Sequence, residues 1–275
     1  MVRIITDSAA DFEPCELEQL KITCIPLKVM FGDDEYDENI TLDKNKFYEL
    51  LLSSGELPKT AQASPQILLD LFEEAKEQGE EAIYICLSSC LSGTYQTAVM
   101  SKNMVDSDLC HVFDSHNATG GQRMLVQYAC RLRDEGKSAA EILAALEDVR
   151  DRIVLFACID TLEYLYKGGR ISHTVYKLGT LANIKPIITI EPDGSVGIPA
   201  KAMGMRKGMD TLCKHLQDPD PEFPVYAMFT NNRAVARTLA DKMGDVSDDR
   251  IIQVGAAIGS HIGPDACGLV YVKSK

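Results

Sequence analysis

The stretch AIYICLSSCLSGTYQTA, residues 82–98, decides how the chain is read. Ala82 to Leu87 is continuously apolar, with charge before it and hydroxyls after it, which predicts a strand buried on both faces of a parallel sheet. Gly93 opens a helical pattern, so Ser92 falls near a helix N-terminus, where unpaired N–H groups and the helix dipole favour an anion. Ser88, Ser89 and Thr94 add hydroxyls around the same point. Two readings of Ser92 stand at this level: it is an anion ligand, or it only caps the helix. No Walker sequence or dinucleotide glycine triplet is present, so a phosphate cradle is not specified and a carboxylate suits the donors better.

Strand and helix alternate on both sides of this stretch. Before it lie an opening strand ending in Thr6-Asp7-Ser8, a helix from Pro14 to Leu20, a strand from Ile22 to Val29 and a short edge at residues 36–38. Asp43 caps a helix reaching Ser53, residues 58–65 form a loop, and Ser64-Pro65 starts a helix ending near Gly79. After it come a strand from Cys110 to Phe113, a long helix opened by Gly120-Gly121, and another capped by Ser138. The loops at 6–8, 88–92 and 114–116 are short and polar. Loops at the carboxyl ends of parallel strands collect in one crevice, which makes Ser92 and Ser115 expected neighbours.

From residue 153 the pattern changes to α+β. Glu191-Pro192-Asp193-Gly194 supplies the turn of a hairpin between strands at 185–190 and 195–200. Helices are expected at 207–217 and 232–243, and strands at 153–159, 224–229, 250–255 and 268–272. The predicted fold class is therefore α/β. Residues 1–152 form an N-terminal open, mostly parallel sheet domain with flanking helices, and residues 153–275 a C-terminal α+β domain with a hairpin-rich sheet.

The chain has 275 residues, 45% of them apolar, which is enough for two cores. A net charge of −13 argues against nucleic acid or an anionic membrane as the main partner. The start is already strand-like, and no apolar window approaches the roughly 18 residues needed to span a bilayer, so a cytoplasmic protein without integral membrane association is expected. Nine scattered cysteines, mostly inside apolar runs, are expected to be reduced packing residues, and no second Cys or His pair sits near Cys86 and Cys90 at zinc spacing. No metal site is predicted.

His261 lies in Gly255-Ala256-Ala257-Ile258-Gly259-Ser260-His261-Ile262-Gly263-Pro264, read as a glycine-punctuated loop between strands. Its imidazole either donates to a carboxylate, which would favour the protonated ring, or bonds a carbonyl. Arg170, in the turn Lys167-Gly168-Gly169-Arg170-Ile171-Ser172, is an exposed cation read as an anion clamp, a partner contact or a solvated charge. A serine or cysteine acyl hydrolase using Ser92 or Cys90 is the enzymatic alternative, although Gly is missing two residues before Ser92. A phosphate or nucleotide binder using the helix start at Gly93 is a third.

Seven segments in order carry a resemblance to the DegV family of fatty-acid-binding proteins, which includes binding subunits of bacterial fatty acid kinases. They are IITDSAAD at 4–11, KTAQAS at 59–64, SSCLSGTYQTA at 88–98, DSHNATGGQ at 114–122, LEYLYKGGRIS at 162–172, KPIITIEPDG at 185–194 and GSHIGPDACG at 259–268. The resemblance implies one long-chain fatty acid held between two domains and no catalysis by the chain itself. The carboxylate would then be presented to a separate ATP-dependent kinase subunit for acyl phosphate formation. It implies a carboxylate site at Thr60, Ser92 and His261, to which Gly93 and Ser115 are added from their place beside the same loops. Arg170 matches an arginine associated with kinase docking. The chain departs from the family loop at Ala61 and Ala63, where Ser and Pro are usual.

Such a ligand is energetically reasonable and needs no cofactor. About fourteen buried methylenes gain on the order of 11 kcal/mol, while the polar end mostly sets orientation. Ile159, Leu162, Leu165, Ile188, Met203 and Met205 are the expected tail contacts, with methionine adapting to different chains.

Overall fold

A computed structural model describes residues 2–177, 183–244 and 246–275. The segment at 82–98 forms strand β6 (Ala82–Cys86), buried at every position, and the start of a helix at Thr94–Val105. With β1 (Arg3–Asp7), β2 (Ile22–Ile25) and β7 (Cys110–Asp114) it makes a parallel sheet of order β2-β1-β6-β7. The chain leaves β1 to one side for β2 and later returns on the other side as β6. The loops after β1 and β6 therefore flank a topological switch point, where open α/β sheets place ligands.

Helices α1 (Pro14–Leu20), α2 (Lys44–Ser53), α3 (Pro65–Gln78), α4 (Thr94–Val105), α5 (Thr119–Asp134) and α6 (Ala139–Arg150) fill out the first half. Asp43 accepts from Lys46 N at the start of α2, and Ser138 with Glu141 forms a capping box on α6. Both ends are where the sequence places them.

Two elements differ from expectation in this half. Ile22 to Val29 is not one strand, because Pro26 lacks the N–H that would continue the ladder. The chain instead leaves β2 and starts β3 (Lys28–Phe31) in another sheet. The loop expected at 58–65 contains β5 (Lys59–Ala61), which pairs antiparallel with β3, as does β4 (Asp34–Asp37). Thr60 sits opposite Val29 in this small sheet.

The second half holds a six-stranded sheet of order β10-β9-β8-β13-β11-β12, antiparallel except for its last pair. Its strands are β8 (Ile153–Cys158), β9 (Ile184–Ile190), β10 (Val196–Met203), β11 (Tyr226–Phe229), β12 (Ile251–Gln253) and β13 (Cys267–Val272). Short helices α7 (Glu163–Lys167) and α8 (His173–Lys177) follow β8, and α9 (Gly204–His215) and α10 (Arg233–Met243) pack on the sheet. The Pro-Asp-Gly hairpin joins β9 to β10 as expected. One buried cluster joins Ile4, Ile83, Phe113 and Leu125 from the first half to Leu155, Met228, Ile252 and Val270 from the second.

The segment read as a loop at 255–264 is a helix, α11 (Ala256–Ile262). Its start is secured from the first half, where Asp11 accepts from Gly255 N at 2.8 Å and Glu38 from Ala257 N at 3.0 Å. Tyr48 donates to Val254 O at 2.9 Å just before it. These partners are far away in sequence, so local pattern cannot announce the helix.

Candidate functional site

The carboxyl-end crevice is largely filled by protein. Asp7 is fully buried, accepting from Leu87 N, Tyr84 Oη and Gln122 Nε2, and burial raises its pKa despite these bonds. The tip of the β9–β10 hairpin closes over the neighbouring loops. Ser88 donates to Gly194 O at 2.8 Å, Cys90 Sγ lies 3.0 Å from Asp193 O, and His116 Nδ1 lies 3.2 Å from Pro192 O.

Beside this seal lies a cavity between the two halves of the chain. Leu27, Leu87, Leu91, Ala118 and Ile258 wall it with Leu155, Ala157, Leu165, Ile188, Met228 and Gly268. Most of the wall is apolar. Its polar residues are Thr60, Ser92, Thr119, Arg170, Thr230 and His261. Two of these hydroxyls are already spent: Thr119 donates to Asp11, and Thr230 donates to Pro264 O at 2.6 Å. Thr60, Ser92, Arg170 and His261 remain, and each is partly exposed.

Each comes from a different element. Thr60 is on β5, and its Oγ1 lies 2.9 Å from His261 Nε2 in the last turn of α11. Ser92 precedes α4, where its hydroxyl accepts from Thr94 N at 3.2 Å and shares a hydrogen with Thr94 Oγ1 at 2.9 Å. Ser92 therefore holds the first amide of α4 and lines the cavity at once. Thr94 Oγ1 also accepts from Ala63 N at 3.2 Å, a bond that the proline usual in the resembled loop could not donate. Arg170 follows α7, and its guanidinium donates to Leu91 O at 2.9 Å and to Gly168 O.

The electrostatics favour an incoming anion. Among the described residues no carboxylate lies within ion-pair distance of Arg170, and burial lowers its pKa. Burial, with the neighbouring Arg170 charge, brings His261 down to about 4, so the ring is neutral at pH 7. Of the two readings of His261, neither partner is in place: its Nε2 lies by Thr60 Oγ1, not by a carboxylate or a carbonyl. His261 Nδ1 has no hydrogen-bond partner and lies against Gly168, so no carboxylate orients the ring. With Ser92 paired to Thr94 and His261 to Thr60, a serine–histidine–acid chain is not assembled. Burial and Asp193 raise the Cys90 thiol, the opposite of nucleophile activation.

Several expected residues lie elsewhere. Ser115 is fully buried, donating to Asn117 O at 3.0 Å, and Gly93 is outside the cavity wall beside Gln62. Arg170 is half-buried in the wall instead of standing exposed on a turn. Of the expected tail contacts, Leu165 and Ile188 line the cavity, while Ile159 and Leu162 are buried in the cluster behind them. Met205 packs against Cys267, and Met203 is 55% exposed, because β10 is the sheet edge and turns that side chain to solvent. Five of the nine cysteines are buried as expected, but Cys15 and Cys90 are exposed. Ala157, Met228 and Gly268 were not foreseen; only the strand register brings them to one wall.

Among the described residues no helix is long and apolar enough to cross a membrane, and no cluster of His, Cys, Asp or Glu side chains is arranged for a metal ion.

A parallel α/β sheet joined to a mostly antiparallel one, around an apolar cavity whose polar corner carries a cation, two hydroxyls and an imidazole, defines a class of two-sheet α/β proteins. A family model described as the DegV family matches residues 1–274, and the chain belongs to that family. A DegV domain-containing protein of Caldanaerobacter subterraneus is 33% identical, over 98% of each chain. A DegV family protein from Thermus thermophilus, described by its fatty acid binding, superposes with a TM-score of 0.89 at 26% identity over 99% of each chain. DegV from Bacillus subtilis, described as a fatty acid binding protein, gives 0.86 at 27% identity over 99% of each.

Proposed function

We propose that the chain binds a long-chain fatty acid in this cavity and presents its carboxylate to a separate ATP-dependent kinase. The observation that carries the reading is the Arg170 guanidinium, which has no ion-pair partner among the described residues, at the polar corner of a mostly apolar cavity. A carboxylate there gains a charge-assisted partner, and the tail removes apolar surface from water at roughly 0.8 kcal/mol per methylene. In the tautomer with hydrogen on Nε2, His261 donates to Thr60 Oγ1, which frees the Thr60 hydroxyl hydrogen to donate onward to the acid. Ser92 supplies the second hydroxyl.

Presentation to a partner is supported by the asymmetry of the cavity. Thr60, Ser92, Arg170 and His261 are all partly exposed, whereas Met228 and Cys267 are buried. In the proposed pose the acid end faces outward and the tail inward. The described names of similar structures point to the same ligand class.

Organic extraction of the purified, denatured protein followed by mass spectrometry tests the binding step, with palmitate and oleate titrations on delipidated protein. Recovery of a straight-chain acid and saturable binding are expected. Failure of both would overturn the reading. Addition of a bacterial fatty acid kinase and ATP to the loaded protein should yield acyl phosphate, and its absence with every kinase tried would remove the presentation step while leaving binding intact.

A further inference from the structure

The sheet wall of the cavity is built from one cross-strand row. Ile188 pairs with Ala157, Ala157 with Gly268, Gly268 with Met228, and Met228 with Ile252. The first four line the cavity and Ile252 does not. The lined part therefore crosses three strand spacings, about 14 Å, and stops at Met228. A methyl group and a hydrogen occupy its middle. Two residues along, on the same face of the sheet, the positions are Leu155, Val270 and Tyr226, so larger side chains border the small pair on that side.

The polar corner lies at the Ile188 end. Ile188 shares a buried cluster with Leu165, whose carbonyl accepts from Arg170 N at 2.8 Å. The Met228 end lies by the opposite end of α11. Met228 Sδ is 3.8 Å from Thr119 Oγ1, Thr119 donates to Asp11, and Asp11 accepts from Gly255 N at the helix start. His261 is in the last turn, about 9 Å further along.

We propose that Met228 is the stop for the far end of the acyl chain, and that it sets the longest acid the cavity accepts. The proposal rests on the fatty-acid reading of the cavity. Methionine ordinarily adapts by rotating, but here the thioether is confined. A Cβ on Gly120 would come within 2.9 Å of its sulfur, and one on Gly268 within 3.1 Å of its methyl. Met228 is 2% exposed, and behind it Ile252 is also buried. Truncating Met228 therefore opens the row onto apolar surface.

The test is a ladder of saturated straight-chain acids from lauric to arachidic, titrated into delipidated wild type, Met228→Ala and Met228→Leu. Wild-type affinity should rise about fourfold per methylene up to a limit and fall beyond it. In Met228→Ala the limit should move to a longer acid, the first acid past the wild-type limit gaining about fourfold or more, whereas Met228→Leu keeps bulk and the wild-type limit. Met228→Val, a smaller truncation, gives the same direction if the alanine variant does not fold. An unchanged limit in a folded truncation variant, or a wild-type affinity that climbs without limit, overturns the stop while leaving fatty-acid binding in place. Absence of binding by wild type to every acid overturns both.

Discussion

His261 Nδ1 occupies the space that a side chain on Gly168 would fill. The turn after α7 is therefore bare at that position, which leaves room for the imidazole that reaches Thr60. Gly168 has φ −73°, which alanine adopts freely, so a substitution there acts through collisions with the His261 ring and with Tyr164 O. Gly168→Ala should push the ring off Thr60, lower stability by about 1–3 kcal/mol and weaken fatty acid binding about tenfold. Gly169→Ala is the control. Its φ of +76° costs roughly 1 kcal/mol of backbone strain, nothing stands where its Cβ would go, and affinity should be unchanged. Thermal unfolding and oleate titration of both variants separate the two effects.

Among the described residues Arg170 brings the one permanent charge in the cavity wall, and Thr60 and Ser92 bring neutral donors. Losing a hydrogen bond to a charged group costs about 1.5–3 kcal/mol, or roughly ten- to hundredfold in affinity. Arg170→Gln should fall at the upper end of that range, and Thr60→Ala and Ser92→Ala at the lower. Titrating a fatty alcohol of the same length gives the check, because it lacks the charge: its affinity should barely respond to Arg170→Gln.

Asp11 and Glu38 grip the start of α11, and burial raises their pKa values to about 6 and about 7, with Asp11 a further cause for Glu38. Lys44 and Arg123 oppose this for Asp11, as Lys44 does for Glu38, and Ser8 Oγ donates to Glu38. An acid whose folded pKa is raised holds its proton more tightly when folded, so its stabilisation is present below the unfolded value of 4.5 and is lost as pH rises through about 7. Glu38→Gln removes that titration. Relative to wild type, the variant should gain about 1–3 kcal/mol between pH 4.5 and 7, read from denaturant unfolding across that window. A difference that is flat with pH would show that Glu38 stays charged in the folded protein.

The cysteines give a prediction about chemistry that should not occur. Iodoacetamide should label Cys15 and Cys90 slowly in the native protein and leave Cys86, Cys110, Cys130, Cys158 and Cys267 untouched until unfolding. A fluorophosphonate should not react at Ser92, whose hydroxyl is engaged with Thr94. Rapid labelling of either Ser92 or Cys90 would return the hydrolase alternative.

What could be read from the chain and what could not divide along the range of the interactions. The buried β6, the Asp43 and Ser138 caps and the Pro-Asp-Gly hairpin rest on neighbours a few residues away, and local pattern announces them. The α11 helix, punctuated by Gly255, Gly259 and Gly263, looks like a loop because its N-terminal partners are Asp11 and Glu38 and because Gly259 lies against Phe47 and Tyr48. Tertiary partners overrode a poor local propensity there. Of the carboxylate set that the resemblance implied with its neighbours, Thr60, Ser92 and His261 line one cavity while Gly93 and Ser115 do not, and Arg170, matched to kinase docking, turns into the same wall. The tail wall was hardest to foresee. Ala157, Gly268 and Met228 are ordinary residues until pairing places them in one row, and a shift of one residue would turn all of them away.

The polar corner draws Thr60 and Ser92 from before residue 152 and Arg170 and His261 from after it. Neither portion of the chain owns a complete receptor. A protein cut near that point yields two incomplete pieces, one with alcohols and no cation, the other with a cation and no alcohols. If the cavity holds an acid as proposed, its capture reports on the closed chain: whatever parts the two portions should also dismantle the grip on it.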